Sequence, residues 1–315
     1  MSAKGKGGVG IRFDFGSSSN GASDEYRGSY IRYNRETEEG TGKITEAYNA
    51  LLTNMDSDTY NAAADELKGP LVSEYNLSGK LEGKEHAIFI SRNALVKDIN
   101  INKGASIKGD ILSEWKHFNT DGNYDKSGEN EQLAIQYNGS NYAYDAYIPD
   151  LVTNLNVNAD FAYNDNITGT DNMKLNVRGG TMQYGGKADV VGVTVEKGAS
   201  LLGGQYTVHD MSDMVAVGYL LKLDDTDKGN FINHGAIGPL SGDTSMQITG
   251  NLISDGTLQG IAGGSAGTIS VSGKAAIDDS TVIAKNLLPD EKFVVLKAAS
   301  GTGSVKNTES AVRRN

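Results

Sequence analysis

Val191-Gly192-Val193-Thr194-Val195-Glu196-Lys197-Gly198-Ala199-Ser200-Leu201-Leu202 is the stretch that decides the fold. An apolar residue at every second position marks a strand, a Lys-Gly-Ala-Ser corner breaks it, and apolar residues resume at once. The same phrase stands earlier as Ile99-Asn100-Ile101-Asn102-Lys103-Gly104-Ala105-Ser106-Ile107-Lys108-Gly109-Asp110. Looser copies follow at Phe231 to Ile237, Leu252 to Leu258 and Ile269 to Ile277, and from Gly235 to Gly256 to Gly273 the period is near twenty residues. Strands of period two with glycine, Asn or Asp corners, repeated at that length, are the signature of stacked coils. One such coil cannot bury its own apolar side; a stack makes a common core and shares backbone bonds between neighbours. The expected fold is therefore all-β, a right-handed parallel β-helix (solenoid), with about 4.8 Å per coil and a rod on the order of 45 Å.

Outward from this stretch the chain divides into a cap over 1–70, a β-helix over 71–299 and a loose polar tail over 300–315. Val9, Ile11, Phe13 and Phe15 alternate, and Ser29 to Tyr33 forms a second run, so residues 9–35 read as a hairpin or an irregular first coil. Over 43–68 the period changes: Ile44, Tyr48, Leu51, Leu52 and Met55, then Tyr60, Ala63, Ala64 and Leu67, recur at helical spacing, with Lys68-Gly69-Pro70 as a stop. This small N-terminal helical hairpin is expected to cap one end of the stack, since an open end exposes strand edges and core. A polar, tyrosine-rich insertion over 116–148 interrupts the repeats.

Composition removes several functions. A net charge of -11 opposes a nucleic-acid partner and adsorption to an anionic membrane. The chain has no cysteine, which excludes disulfides and thiolate metal sites. No apolar run is long enough to cross a membrane as a helix, and Met1 to Gly8 lacks the apolar segment of a signal peptide.

Candidate chemistry is sparse. Gly263-Gly264-Ser265-Ala266-Gly267 has the letters of a nucleophile elbow but precedes a strand where the elbow needs a helix. Asn233-His234-Gly235 and Gly242-Asp243-Thr244-Ser245-Met246 have the letters of subtilisin motifs, again without helices. Gly5 to Gly10 spells a dinucleotide fingerprint, yet no strand precedes it, and a flexible leader is the simpler reading. His86, His117, His209 and His234 are scattered without metal spacing, and Asp224-Asp225-Thr226-Asp227 and Asp121 to Asp125 read as solvated turns rather than calcium loops. No catalytic residue, cofactor or metal ligand is assigned. Asp160, Asp165, Asp171 and Asp189 are acids that a carbohydrate-active β-helix would need to bring together in pairs. Tyr137, Tyr142, Tyr144 and Tyr147 form a cluster suited either to packing of the insertion or to a patch that binds protein or glycan.

The phrases Gly8-Val9-Gly10-Ile11-Arg12-Phe13-Asp14-Phe15-Gly16, Glu25-Tyr26-Arg27-Gly28-Ser29-Tyr30-Ile31-Arg32, Ala87 to Val96, Ile107 to Trp115 and Ile283 to Leu296 resemble the passenger region of Gram-negative autotransporters. The likeness is to the stalk that follows a subtilisin-like serine protease domain, and it covers most of the chain. It implies export by type V secretion to the cell surface or medium, with a covalently linked head domain and an outer-membrane β-barrel as partners in the parent protein. The implied function is a non-catalytic stalk. A surface adhesin acting through the tyrosine cluster on host protein or glycan is the alternative, and a polysaccharide lyase or glycosidase ranks below both.

Overall fold

The computed structural model describes residues 1–14, 72–91, 94–115, 152–209 and 229–312. The helical hairpin, the run from Ser29 to Tyr33 and the 116–148 insertion lie outside these residues. So do the four clustered tyrosines, His117, and the turns at Asp121 to Asp125 and Asp224 to Asp227.

What is described is all-β and contains no helix. The strands are β1 (Ser2–Ala3), β2 (Val9–Phe13), β3 (Val72–Leu77), β4 (Lys80–Ile90), β5 (Val96–Ile101), β6 (Ser106–Ser113) and β7 (Thr153–Val157). They continue as β8 (Phe161–Tyr163), β9 (Ile167–Val177), β10 (Thr181–Val195), β11 (Ser200–Val208), β12 (Asn230–Asn233), β13 (Ala236–Gly238) and β14 (Met246–Thr249). The last are β15 (Asn251–Ser254), β16 (Thr257–Ile261), β17 (Ile269–Ala276), β18 (Ser280–Leu287), β19 (Leu296–Thr302) and β20 (Val305–Val312).

Pairing is parallel and falls into three ladders. In the first, Tyr75, Ile99, Leu155, Leu175, Val193, Phe231, Leu252 and Ala275 stand in register on successive strands. The second aligns Met182, Leu201, Ile237, Leu258 and Val282. The third aligns Ile11, Ile88, Ile111, Ile167, Ala188, Tyr206, Ile248 and Val271. From β9 onward the chain visits first, second and third ladder in constant order. The long strands β4, β6, β10 and β17 serve more than one ladder, with register shifts where they bend. Because side chains alternate along a strand, one residue in two faces inward, and the buried residues of all three ladders belong to a single core.

The corners follow from the repeated phrase. Gly104 and Gly198 both take left-handed backbone, at φ 88° and 87°, where a Cβ is disfavoured. In each corner the following alanine N–H donates to a carbonyl three residues back, Asn102 or Glu196, at 3.0 Å. The run at Val9 forms β2, which lies parallel to β4. One expectation changes. Residues 300–312 are not a loose tail: they complete β19 and form β20, which pair with β17 and β18.

Aromatic rings fill the middle of the core. Phe161, Tyr163, Tyr184, Tyr206 and Phe231 are all buried and touch in sequence, with centroids 5.6, 5.9, 5.8 and 5.2 Å apart. Tyr163 donates its hydroxyl to the Gly109 carbonyl at 2.7 Å, and Tyr206 donates to that of Gly203 at 2.9 Å. The Tyr184 hydroxyl, near the Ile167 backbone, reaches no hydrogen-bond partner. At the C-terminal end the core tapers: the positions in register with Ala275, Val282 and Val271 are Gly301, Thr308 and Ala298.

Outward on the first ladder, Asn76, Asn100, Asn156 and Asn176 stand in register. Each amide donates to the carbonyl oxygen of the one before it, at 3.0, 2.9 and 3.0 Å. Glu74 and Asp98 accept further bonds from Asn100, Asn154 and Asn156. Asn156 is fully buried. Asn156→Ala leaves Asn100 without its donor and Asn176 with only the longer bond to Asn154, at 3.3 Å, and the expected cost is about 2 kcal/mol. Asn158→Ala, at an exposed corner, is expected to stay within about 0.5 kcal/mol of the parent. Urea titration of both variants separates a cooperative amide row from a decorative one, which would show no difference between them.

Candidate functional site

Strand alternation places every other residue of the third ladder on its outer side. The positions preceding the inward column are Asp110, Asn166, Lys187, Gln205 and Gln247 on five successive strands, and His86 on the strand before pairs with Asp110 across a register shift. A second outward row, two residues on, carries Thr168, Asp189 and Thr207. Between the rows lies a shallow groove of about 320 Å³, lined by His86, Asp110, Leu112, Asn166, Lys187 and Asp189, with Thr168.

The groups in this groove are of mixed sign. Asp110 accepts the Asn166 N–H through Oδ1 at 2.9 Å, so its carboxylate is held at one edge. Asp189 is engaged by the Nε2 edge of His209, one strand further along. Nδ1 of His86 is buried and meets no hydrogen-bond partner. Lys187 and Asn166 present exposed side chains. Ladder spacing puts the Cα atoms of Asp110 and Asp189 about 12 Å apart, two strands and two residues along, and no hydrogen bond joins their carboxylates. The arrangement offers donors and acceptors along a line, which is the chemistry of recognition.

The other acids singled out in the sequence have separate local partners. Asp165 accepts the Gly109 N–H at 2.7 Å and Asp160 accepts that of Thr181 at 2.8 Å. Asp171 accepts the Thr170 hydroxyl at 3.3 Å. Of the four, Asp189 alone lines the groove. Sequence reasoning missed its companions His86, Asp110, Asn166 and Lys187. The signal that could have found Asp110, Asn166 and Lys187 is polar residues recurring directly before the inward apolar residue of each third-ladder strand; His86 lies one residue further back, across a register shift.

A second cavity of about 320 Å³ lies where β1, β4 and β6 meet, lined by Lys4, Lys84, Lys108, Glu82 and Asp165. Desolvation pushes the Glu82 carboxyl up, but Lys108, the Ser2 hydroxyl, Lys4 and Lys80 outweigh it and hold it below the ordinary carboxylate range. Its lysines thus surround a carboxylate of the protein itself.

The motif-like phrases occupy corners. Ser265 donates its N–H to Asp243 at 3.2 Å just ahead of β17. Ser245 meets the Thr268 hydroxyl at 3.2 Å, while His234 meets Asp255 at 2.7 Å. The serine and the histidine of the subtilisin-like letters therefore have separate partners. Asn233 is buried against Ser254 at 3.0 Å, and Ser254 against Ser280 at 3.0 Å. The glycines at 5–10 span a turn, closed by the Gly8 N–H on the Gly5 carbonyl, and the start of β2, with no helix after them. No group of three His, Asp or Glu side chains able to hold a metal occurs among the described residues. No protein-family model, curated protein or solved structure matches this chain.

Proposed function

We propose that the three ladders are the walls of a right-handed parallel β-helix, and that the chain is the non-catalytic stalk of an exported, autotransporter-type passenger. The observation that carries this reading is the constant order in which the chain visits three parallel ladders around one core. Nine strands of the first ladder, β3 to β19, make eight steps of about 4.8 Å, a rod of roughly 38 Å. A rod of that kind suits the task of holding a protease or other head away from a membrane. Its folding suits export as well. Each circuit is a template for the next, so a chain emerging through a pore folds step by step and is drawn outward. The side chains add internal bracing rather than reaction chemistry, as in the asparagine row and the aromatic stack.

The test is the reading frame on both sides of the chain, combined with protease shaving of intact cells that express it. The expected result is an export signal and a subtilisin-like or other head upstream, barrel strands downstream, and release of a fragment containing residues 72–312 from the cell surface. A fragment that appears only after lysis overturns the stalk reading.

A further inference from the structure

We propose that the groove on the third ladder binds a neutral glycan, laid along the stack so that successive sugar hydroxyls meet successive strands. The inference rests on the register of that ladder alone and stands whether or not the chain is a stalk.

The argument begins with the shape. His86, Asp110, Asn166, Lys187, Gln205 and Gln247 follow one another over five ladder steps, a straight polar row of about 24 Å. Straightness is imposed by the ladder: each residue is locked over its neighbour by backbone bonds, so the side chains start from fixed, evenly spaced positions. A matching ligand is an extended polymer rather than a compact metabolite.

Charge then selects the chemistry. Asp110 and Asp189 line the groove and oppose a phosphate, sulfate or uronate. Lys187 lines the same space and opposes a cation. What remains is a ligand whose polar groups both donate and accept. A hydroxyl does so, and it finds carboxylate and imidazole acceptors, an ammonium donor and amides able to do either. One polar group is exposed and not committed to the protein: the Asn166 side-chain amide is not needed to hold Asp110, which its backbone N–H does. The lining mixes polar groups with Leu112 and is only partly enclosed, so affinity comes from repetition along the chain more than from enclosure.

The test is saturation-transfer NMR on the whole chain with cellohexaose, mannohexaose and hexagalacturonate as probes. At least one neutral hexamer is expected to receive transfer and the uronate hexamer none. The double variant Asn166→Ala, Lys187→Ala removes exposed side chains, and it is expected to weaken binding by about tenfold or more. Lys197→Ala, at an exposed corner away from the groove, should leave it unchanged. The proposal is overturned by silence from both neutral hexamers, by unchanged binding in the double variant, or by preference for the uronate, which would make the groove an anion site.

Discussion

Gly109→Ala is expected to lower the unfolding free energy by about 4 kcal/mol, enough to prevent accumulation of folded protein at moderate temperature. Gly109 is the bend at which β6 leaves the second ladder for the third. Its φ of 106° lies in the region that L side chains rarely adopt, and a Cβ there would press on the Gly83 carbonyl oxygen of the strand beside it. The neighbouring groups are backbone and cannot turn aside. Both polar groups of this glycine are also in use, since its N–H holds Asp165 and its carbonyl accepts Tyr163, each at 2.7 Å. Gly198→Ala is the comparison. Gly198 also has positive φ, but nothing lies within 4 Å of its missing Cβ, so the cost is the conformational preference alone, about 1 kcal/mol. Urea unfolding of the two variants gives the difference directly. Equal losses would mean that close packing at Gly109 contributes nothing.

Alkaline pH is expected to act more steeply still. Burial first, then Tyr184, Asp165 and Asp110, push the Tyr163 phenol well above its usual value. For Tyr184 burial dominates, against the Ile167 backbone, with Asp110 and Asp165 adding to it; for Tyr206 burial leads and Tyr184 adds. In the unfolded chain these phenols lose their protons near pH 10, while in the folded chain they keep them. Above that pH the folded state holds more protons, so stability is intact below pH 10 and falls as pH rises. Each phenol contributes about 1.4 kcal/mol per pH unit, and the three together give a slope near 4 kcal/mol per unit. Tyr184→Phe should remove a third of that slope. It should cost little at pH 7, because the hydroxyl it deletes bonds to nothing. A stability curve that stays flat from pH 9 to 11.5 would show that the aromatic stack opens to water without unfolding.

The parallel ladders were legible in the sequence because a corner such as Lys197-Gly198-Ala199-Ser200 has local causes: a left-handed glycine and a strand that restarts at once. The side-chain rows were not, because their members are neighbours only through the ladder. Asn76, Asn100, Asn156 and Asn176 become a row when the insertion between β6 and β7 is removed from the count. The groove was hidden in the same way: Asp189 was noticed as an acid, but Asp110 and Lys187 acquire meaning from the strands they stand on. Residues 300–312 looked like a tail because the inward positions of β19 and β20 are Ala, Gly and Thr, which carry no apolar signal. Their strand structure comes from the edge they pair with.

That taper gives the molecule a direction under load. In the β-helix proposed above, the bonds joining one circuit to the next lie along the axis of the stack, so tension applied at the C-terminal end opens them a strand at a time. The first circuit to yield is the last one, where Ala298, Gly301 and Thr308 continue the inward columns but stay exposed and little apolar surface resists. Each later step meets larger side chains, until the rings from Phe231 back to Phe161 must be separated. Pulled from that end, the protein resists with a force that rises as it unravels, so a brief tug removes an edge and leaves the centre in place to rewind it.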